Sequence, residues 1–465
     1  MRKRLNTVSR LAAWIGLCLL VASSVSAQNA PASPPTDQQI TAKAEEYVNA
    51  AVKVDGFGGS ILIARNGKPV ISKGYGMANI ELNVLNTPQT VFRLGSVTKQ
   101  FTAMVIMMLQ ERGKLSVSDP ICKYLPDCPA AWKPITVKNL LTHTSGIPNY
   151  TSFPGFAKTA VLPTLPAEMI GQLKDRPLEF APGEKFAYSN SGYYVLGEII
   201  ERASGKTYAE FLQENIFAPL GMKQTGYDNP LEIIRNRAAG YQRQGGEIIN
   251  AAYMDMTIPF AAGALYSTTG DLLIWDQALY TEKLVSRKSL DEIFTPFKGE
   301  SGYGYGWSIG KTFDRRVIAH GGGIYGFATQ ITRFPEDRVT VIVLSNIQAA
   351  PAGKIANDLS AIVFGASYEI PKERKEIAVE PKILEKYVGQ YQVAPNLIIT
   401  VMLENGKLLG QVSGQSKFAL SAESETVFFS KDVNAVITFV KDANGQVTGL
   451  TLNQGGSGTP AQKIK

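Results

Sequence analysis

A serine and a lysine three residues apart, Ser96 and Lys99, have the residue types and the spacing that nucleophilic catalysis requires. They belong to the segment Gly-Ser-Val-Thr-Lys-Gln-Phe, residues 95–101, which continues as an apolar run to Leu109. We predict a helix that begins near Ser96, because residues i and i+3 then share a face and the amine can touch the hydroxyl. A serine activated by a neighbouring base is a nucleophile for acyl transfer.

The surroundings of this pair favour the same chemistry. The free N–H groups and the positive dipole end of a helix N-terminus stabilise an oxyanion next to Ser96. The run from Ala103 to Leu109 is apolar all round, which predicts a helix buried on every side. Desolvation at the start of such a helix lowers the pKa of Lys99 and lets it act as a base. Gly95 leaves room for a substrate beside the nucleophile.

Acyl transfer also needs a second proton carrier, and the segment 182–192 contains one. Tyr188 and Asn190 are two residues apart, so in an extended segment both side chains point to the same side. We expect a lysine ammonium to lower the pKa of the Tyr188 phenol, which could then exchange a proton with Ser96 or with a leaving group. Asn190 is placed to donate to a substrate carbonyl and to accept from Lys99.

A glycine-rich segment, His320, Gly321, Gly322 and Gly323, follows a predicted strand. The glycines let a substrate lie along the strand edge, and the Gly323 N–H is a candidate partner of the Ser96 N–H in an oxyanion site. His320 is a candidate ligand for a substrate carboxylate or carbonyl. The alternative is a glycine-rich turn that happens to follow an ordinary histidine.

Two other side chains offer rival chemistry. Ser308 lies in Gly-Trp-Ser-Ile-Gly, which matches the nucleophile-elbow pattern, and together with Lys311 it repeats the Ser-x-x-Lys spacing. The elbow requires a strand before the serine and a helix after it, whereas here we predict a turn and a second strand. His143 is a candidate base of a Ser-His-Asp triad, but its loop setting is typical of a structural histidine.

Length and composition indicate an ordinary globular protein. The 465 residues are 45% hydrophobic and 19% charged, which suits two or three folded units. Residues 1–27 contain a basic start, an apolar segment and a small-residue cleavage site, so we predict a signal peptide and a periplasmic or secreted protein. An uncleaved membrane anchor is the alternative; otherwise the membrane is involved only through the export signal.

Charge and cysteine content exclude several classes of partner. Removal of the leader lowers the net charge from +7 to +3, and there is no basic stripe, so we predict no nucleic-acid partner. Cys122 and Cys128 are the cysteines outside the leader, and in an oxidising compartment we expect a disulfide, with two buried thiols as the alternative. Two histidines and two cysteines make a zinc site improbable, so we predict no metal and no cofactor.

The order of predicted elements gives an α+β domain followed by an all-β domain. A helix over 38–54 precedes two strands, 59–65 and 68–75, joined by the hairpin signal Asn66-Gly67. A mainly helical region, 115–239, comes next. The remaining elements are strands over 303–309, 317–320, 327–334 and 338–345 and a closing helix over 352–364. We predict the first domain at 28–370, a linker at 371–381 and a small barrel at 382–465.

The order Ser-x-x-Lys, Tyr-x-Asn and His-Gly-Gly resembles that of the penicillin-recognising serine hydrolases. This family includes class C β-lactamases, D-alanyl-D-alanine carboxypeptidases, D-aminopeptidases and related esterases. The resemblance covers about residues 40–366 and includes Leu-Leu-Thr-His-Thr-Ser-Gly at 140–146. It implies a five-stranded antiparallel sheet beside a helical lobe, and it makes the C-terminal unit similar to the lipocalin-like β domain that often follows such hydrolases.

The resemblance also implies roles for the site residues. Ser96 would be the acylated nucleophile, Lys99 and Tyr188 the proton-handling pair, and Asn190 a positioning group. Many β-lactamases and transpeptidases have Lys-Thr-Gly where this chain has His-Gly-Gly at 320–322. A largely neutral imidazole and a glycine hold a substrate carboxylate less well, which favours peptidase or esterase activity over β-lactamase activity.

We therefore expect an exported serine hydrolase that acts through an acyl-enzyme on amide, ester or β-lactam carbonyls. Its partner would be a small-molecule or peptide substrate, with fragments of peptidoglycan among the candidates. A class C-like β-lactamase is one alternative. A non-catalytic sensor or binding module for penicillins or cell-wall fragments is the other, and loss of Lys99 or Tyr188 would have favoured it.

Overall fold

The helices and strands follow one another as in an α+β chain, with an all-β segment at the C-terminal end. The computed structural model describes residues 34–244, 246–297, 302–394, 397–413, 417–433, 435–454 and 457–465. The predicted signal peptide, residues 1–27, lies outside the described residues. Residues 35–465 form one compact unit.

Within the described residues the strands form a central sheet, a closed barrel and three small sheets of two or three strands. They are β1 (Gly59–Arg65), β2 (Lys68–Tyr75), β3 (Met77–Asn79), β4 (Val84–Leu85), β5 (Phe92–Arg93), β6 (Gly226–Tyr227), β7 (Tyr241–Gln244), β8 (Glu247–Asn250), β9 (Leu265–Ser267), β10 (Ser308–Thr312), β11 (Arg315–Ile324), β12 (Phe327–Phe334), β13 (Val339–Ser345), β14 (Gly389–Ala394), β15 (Leu397–Glu404), β16 (Lys407–Val412), β17 (Lys417–Ala422), β18 (Val427–Ser430), β19 (Ala435–Lys441), β20 (Val447–Gln454) and β21 (Ser457–Lys463).

The helices flank the sheet or form a lobe beside it. They are α1 (Asp37–Asp55), α2 (Thr98–Glu111), α3 (Val137–Leu141), α4 (Phe156–Thr159), α5 (Pro166–Lys174), α6 (Asn190–Ser204), α7 (Tyr208–Leu212), α8 (Ala218–Leu220), α9 (Phe260–Gly263), α10 (Thr269–Ala278), α11 (Arg287–Ile293), α12 (Ala352–Phe364) and α13 (Pro381–Leu384).

Within the described residues the central sheet has six antiparallel strands, in the order β10-β11-β12-β13-β1-β2. The five strands that the resemblance implied were therefore one too few, whereas the strands predicted from the sequence pattern numbered six. The extended segment predicted at 303–309 was also misplaced, because the strand begins only at Ser308. The sequence of β10, Ser-Ile-Gly-Lys-Thr, lacks the alternation of apolar and polar residues that marks a half-buried strand. Its residues are exposed or half-buried.

The hairpin of β1 and β2 was predicted with the bounds that the structure gives. Asn66 and Gly67 form its turn with φ angles of 52° and 73°, in the left-handed region that asparagine and glycine tolerate best. Strand β1 is buried on both faces. Leu62 packs into the core on the side of α2, and Ile63 packs into a second core with α1 and α12.

Helix α2 is buried on all sides from Thr98 to Leu109, as the apolar run predicted. On one side Phe101 stacks on Trp275 of α10, with ring centroids 4.2 Å apart. Next to Trp275, Asp276 accepts a hydrogen bond from Arg333 Nε of β12 at 2.8 Å, and both residues are buried. Helix α10 therefore connects the sheet to the helix that contains Lys99.

Strands β14 to β21 close into an antiparallel barrel within the described residues, which confirms the predicted all-β C-terminal domain. The turn between β15 and β16 is made by Asn405 and Gly406, both with positive φ, another Asn-Gly pair of the kind that favours a two-residue hairpin turn. The barrel has its own core, in which Tyr387 stacks on Phe439 with ring centroids 4.1 Å apart.

Candidate active site

Ser96 and Lys99 lie at the start of α2. Ser96 belongs to a turn of 3₁₀-helix, Gly95–Val97, and the α-helix itself begins at Thr98. Lys99 Nζ is 3.0 Å from Ser96 Oγ. Gly95 has a φ of 54°, and a Cβ atom at this position would lie 3.0 Å from the backbone of Gly323. The tight turn therefore brings the serine next to β11.

Lys99 has two further hydrogen-bond partners, and both are acceptors. Its Nζ donates to Asn190 Oδ1 at 2.8 Å and to the carbonyl oxygen of Ala262 at 2.9 Å. Lys99 is fully buried, and burial lowers its pKa well below the usual 10.5. A neutral amine has two hydrogens and one lone pair. Since the two hydrogens are held by Asn190 and Ala262, the lone pair is left for the Ser96 hydroxyl.

Tyr188 completes this group. Its phenol lies near the Ser96 side chain, and Lys99 Nζ lies 4.9 Å from the centre of its ring. Tyr188 is 38% exposed, yet the His143 ring packs against it, with centroids 4.3 Å apart. Burial raises the pKa of Tyr188 above the usual 10.0, while the interaction with the Ser96 side chain lowers it. The expected lowering of this pKa was wrong, because desolvation of the phenol outweighs the effect of its neighbours. Tyr188 is therefore favoured as a neutral phenol.

His143 lies behind Tyr188 and does not act on Ser96 directly. It is 2% exposed, and its Nδ1 accepts a hydrogen bond from the backbone N–H of Ser189 at 3.1 Å. Burial lowers the pKa of His143 well below the usual 6.5, and the charge of Lys99 lowers it further. The structure thus places this histidine as a packing partner of the tyrosine, away from the triad role considered above.

His320 makes two hydrogen bonds that use both ring nitrogens. Nδ1 is 2.6 Å from the carbonyl oxygen of Gly321, and Nε2 is 2.8 Å from the Tyr303 hydroxyl. A carbonyl can only accept, so we assign the hydrogen to Nδ1, and Nε2 then accepts from Tyr303. In this arrangement His320 has no nitrogen left for a substrate carboxylate. The expected binding of a substrate carboxylate or carbonyl by His320 stays a prediction, and it would require one of these two hydrogen bonds to be exchanged.

The three glycines after His320 form the part of β11 nearest to the nucleophile. A Cβ atom on Gly322 would lie 2.0 Å from the carbonyl oxygen of Leu94, so the strand approaches the Ser96 turn closely. Thr329 of β12 donates to the same carbonyl oxygen at 2.7 Å. Gly321 accepts from His320, and Gly323 packs against Gly95.

A cleft of about 450 Å³ opens beside Ser96. Ser96 and Asn190 are among the residues that line it, together with residues 258–259, 262–263 and 323–325. Its size lies within the range of pockets that bind small molecules. The apolar lining side chains come from Tyr150, Phe156, Met254, Ile258, Pro259, Ala262, Ile324 and Tyr325.

Sequence reasoning missed two groups in this site. The carbonyl oxygen of Ala262 accepts a hydrogen bond from Lys99, but the sequence does not indicate which backbone carbonyl takes this position. The Tyr303 hydroxyl forms a hydrogen bond with His320. The only feature of the sequence that pointed to this segment was the repetition of tyrosine and glycine before Trp307. The Lys99–Ala262 contact joins residues 163 positions apart in the chain, and the Tyr303–His320 contact joins residues 17 positions apart.

The rival nucleophile and the cysteines lie elsewhere. Ser308 is exposed on β10, where it is paired with Ala319, and Lys311 is ion-paired with Asp314. Cys122 and Cys128 are joined by a disulfide. Among the described residues no cluster of metal-ligating side chains was found, and no helix has the length and apolar character needed to cross a bilayer.

The beta-lactamase family matches residues 45–363, which is more than half of the chain. The chain belongs to the beta-lactamase family. A second match, to the Domain of unknown function (DUF3471), covers residues 373–462, where the barrel lies. Penicillin-binding protein 4* of Bacillus subtilis is 32% identical over 412 residues, 82% of this chain and 90% of that protein.

Solved structures show the same fold as this member of the beta-lactamase family. A penicillin-binding protein homologue from Pyrococcus abyssi has a TM-score of 0.64 and 28% identity, with 91% of this chain and all of that chain covered. The D-amino acid amidase from Ochrobactrum anthropi SV3 complexed with D-phenylalanine has a TM-score of 0.61 and 23% identity, with 70% and 99% covered. At this identity the amidase supports the fold alone.

Acidification is expected to destabilise this beta-lactamase-family domain through its buried histidines. Burial lowers the pKa of His320 from 6.5 to about 4, and the charge of Lys99 acts in the same direction. Between pH 6.5 and about pH 4, His320 is protonated in the unfolded chain but not in the folded chain. The free energy of unfolding therefore falls as the pH falls. The loss for His320 is about 3 kcal/mol at pH 4. His143 shifts in the same direction.

Denaturant unfolding at pH 7, 5.5 and 4, followed by tryptophan fluorescence, measures this loss. Residues 371–465 contain no tryptophan, so the signal reports the hydrolase region and excludes the barrel. The control is His320→Gln, which offers Tyr303 an acceptor without a titratable ring. Its stability should depend less steeply on pH than that of the wild type. Equal slopes for the two proteins would contradict the prediction.

Proposed function

We propose that this protein is a serine hydrolase that forms an acyl-enzyme on Ser96. The observation that carries the proposal is the 3.0 Å contact between Lys99 Nζ and Ser96 Oγ, with the other two partners of Nζ being acceptors. A buried amine with its lone pair directed at a hydroxyl is a general base.

The proton balance follows from this geometry. Lys99 accepts the Ser96 proton while Oγ attacks the substrate carbonyl, and the tetrahedral intermediate forms. Tyr188, which remains a neutral phenol, hands its proton to the leaving amine or alcohol and recovers one from Lys99. Water then attacks the acyl-enzyme, with the same groups moving its proton, and free Ser96 returns.

The oxyanion would be stabilised by the backbone N–H groups of Ser96 and Gly323. Support for this pair comes from the close packing of Gly95 on Gly323, which brings the two backbone segments together at the cleft. Asn190 would position the substrate and fix Lys99 at the same time.

Amides, esters and β-lactams all present a carbonyl that this group could attack. We propose peptidase or esterase activity ahead of β-lactamase activity, because both ring nitrogens of His320 form hydrogen bonds within the protein, to Tyr303 and Gly321. The penicillin-binding protein relatives are consistent with a peptide or cell-wall fragment as substrate. We further propose an exported enzyme, supported by the leader-like residues 1–27 and the disulfide.

Intact-mass analysis after incubation with a reactive ester or a penicillin tests the proposal. The wild type should gain one acyl group. Ser308→Ala is the matched control, since it removes the other serine of a Ser-x-x-Lys sequence, and it should still be acylated. Ser96→Ala should show no adduct. An adduct that persists in Ser96→Ala would disprove the assignment, and no adduct on any variant would favour a binding module.

A further inference from the structure

The cleft beside Ser96 has an unusual composition for a site that would recognise charged substrates. None of its described lining residues is Asp, Glu, Lys or Arg. The polar lining groups are the side chains of Ser96, Thr151, Asn190 and Gln348 and the hydroxyls of Tyr150 and Tyr325, and none of them is charged near neutral pH. Most of the remaining side chains are aliphatic or aromatic, and Met254, Ile258 and Ile324 are all less than a tenth exposed.

Some polar groups of the lining are occupied by the protein, whereas the amide nitrogens of Asn190 and Gln348 are neutral donors on the cleft. Asn190 Oδ1 accepts from Lys99 at 2.8 Å, and Gln348 Oε1 accepts from the Gly326 N–H at 3.0 Å. The Tyr150 hydroxyl donates to the carbonyl oxygen of Ile258 at 3.0 Å, so this tyrosine presents its ring. The lining can hydrogen-bond a neutral substrate, and none of its side chains carries a charge that would balance a carboxylate or an ammonium.

The charged residue next to this wall is also engaged. Asp255 follows Met254 and is buried, and its carboxylate accepts from the backbone N–H and the hydroxyl of Thr257 and from the Tyr253 hydroxyl. His320, the other candidate for binding a charged substrate group, forms hydrogen bonds with Gly321 and Tyr303. Burying an unpaired charge against such a wall costs free energy.

We propose that this cleft binds an uncharged, apolar acyl group, so that the enzyme acts on neutral hydrophobic acyl esters or amides and discriminates against acyl groups with a carboxylate near the scissile carbonyl. This inference rests on the proposed function and specifies the substrate class of the same site. It separates this protein from hydrolases that recognise the free carboxylate of a substrate.

A matched pair of substrates tests the inference on the wild type. p-Nitrophenyl butyrate and the p-nitrophenyl monoester of succinic acid have the same leaving group and four-carbon acyl chains, and they differ by a terminal carboxylate. After correction for uncatalysed hydrolysis, kcat/KM should favour butyrate by at least about 100-fold, because the described lining of the cleft provides no opposite charge for the carboxylate. A ratio within about threefold would overturn the inference.

Variants of Met254 show whether the lining causes the selectivity. Met254→Lys adds a cation to a side chain of similar length and should reduce the preference for butyrate by about tenfold or more. Met254→Gln is the matched control, because it adds polarity without charge, and it should keep most of the preference. Equal ratios for the two variants would overturn the inference. Tryptophan fluorescence checks that each variant is folded, and the wild-type ratio tests the inference even where Met254→Lys fails to fold.

Intact-mass analysis separates failure of this inference from failure of the proposed function. If Ser96 is acylated equally well by both esters, the catalytic assignment stands and the apolar selectivity is wrong. If neither ester acylates the wild type at Ser96, the proposed function fails and the inference fails with it. Acylation by butyrate that far exceeds acylation by succinate supports both.

Discussion

Replacing Lys99 with methionine should lower kcat/KM for an activated ester by about 10³-fold, within the 10²–10⁴ range of general base catalysis. Lys99 Nζ is 3.0 Å from Ser96 Oγ, and it is the one nitrogen in the described site that directs a lone pair at that hydroxyl. Methionine has a similar length and suits a fully buried position, so the helix should keep its packing.

The pH dependence of the rate distinguishes a base from a merely structural lysine. Because burial lowers the pKa of Lys99, the wild-type rate should rise with pH through an apparent pKa well below 10.5. Lys99→Met should lack that rise. Lys99→Arg is the control for charge, since a guanidinium keeps its positive charge and cannot accept the proton. Activity within tenfold of the wild type in either variant would contradict the role of Lys99 as the base.

The sequence predicted those parts of the fold and site that depend on local patterns. The distance of three residues between Ser96 and Lys99 determines which face of a helical turn they share, and the observed contact depends on little else. Likewise, Asn66 and Gly67 favour the left-handed backbone that a two-residue hairpin turn requires. Residues 59–65 and 68–75 therefore form strands with the predicted bounds.

The parts that could not be predicted depend on contacts between distant segments. Tyr303, Tyr305 and Trp307 alternate with glycines, which imitates a half-buried strand. In the structure Gly306 has a φ of 75°, and a Cβ atom there would lie 2.6 Å from the carbonyl oxygen of Lys99. The segment therefore turns and packs on α2 before β10 begins at Ser308.

The shift of Tyr188 illustrates the same limit for electrostatics. The sequence places a lysine and a tyrosine in one site, and from this a lowered phenol pKa was the natural expectation. The structure shows Lys99 fully buried and the Tyr188 ring packed against His143, and desolvation raises the pKa of Tyr188 while it lowers that of Lys99. Both groups are thus favoured in their neutral forms, which suits a base next to a proton donor.

Replacing Asp276 with asparagine should lower the free energy of unfolding of the hydrolase region by about 3–5 kcal/mol. Asp276 and Arg333 are 0% and 1% exposed, and Arg333 Nε lies 2.8 Å from Asp276 Oδ1. The other carboxylate oxygen accepts from Thr340 at 2.7 Å and from Gln277 at 2.8 Å. Asparagine keeps the shape of the side chain but leaves the buried guanidinium without its counter-charge, which is the costly part of breaking such a pair.

Two controls isolate the effect of burial. Asp291 forms an ion pair with Arg287 in which both side chains are 67% exposed, and Asp291→Asn should cost less than about 1 kcal/mol. The double variant Asp276→Leu with Arg333→Met replaces both charges by apolar groups and should recover much of the loss, because no buried charge then remains unpaired. Denaturant unfolding followed by tryptophan fluorescence is the measurement, since Trp275 precedes Asp276 and stacks on Phe101 of α2. Equal losses for Asp276→Asn and Asp291→Asn would show that the buried pair has no special role in joining α10 to the sheet.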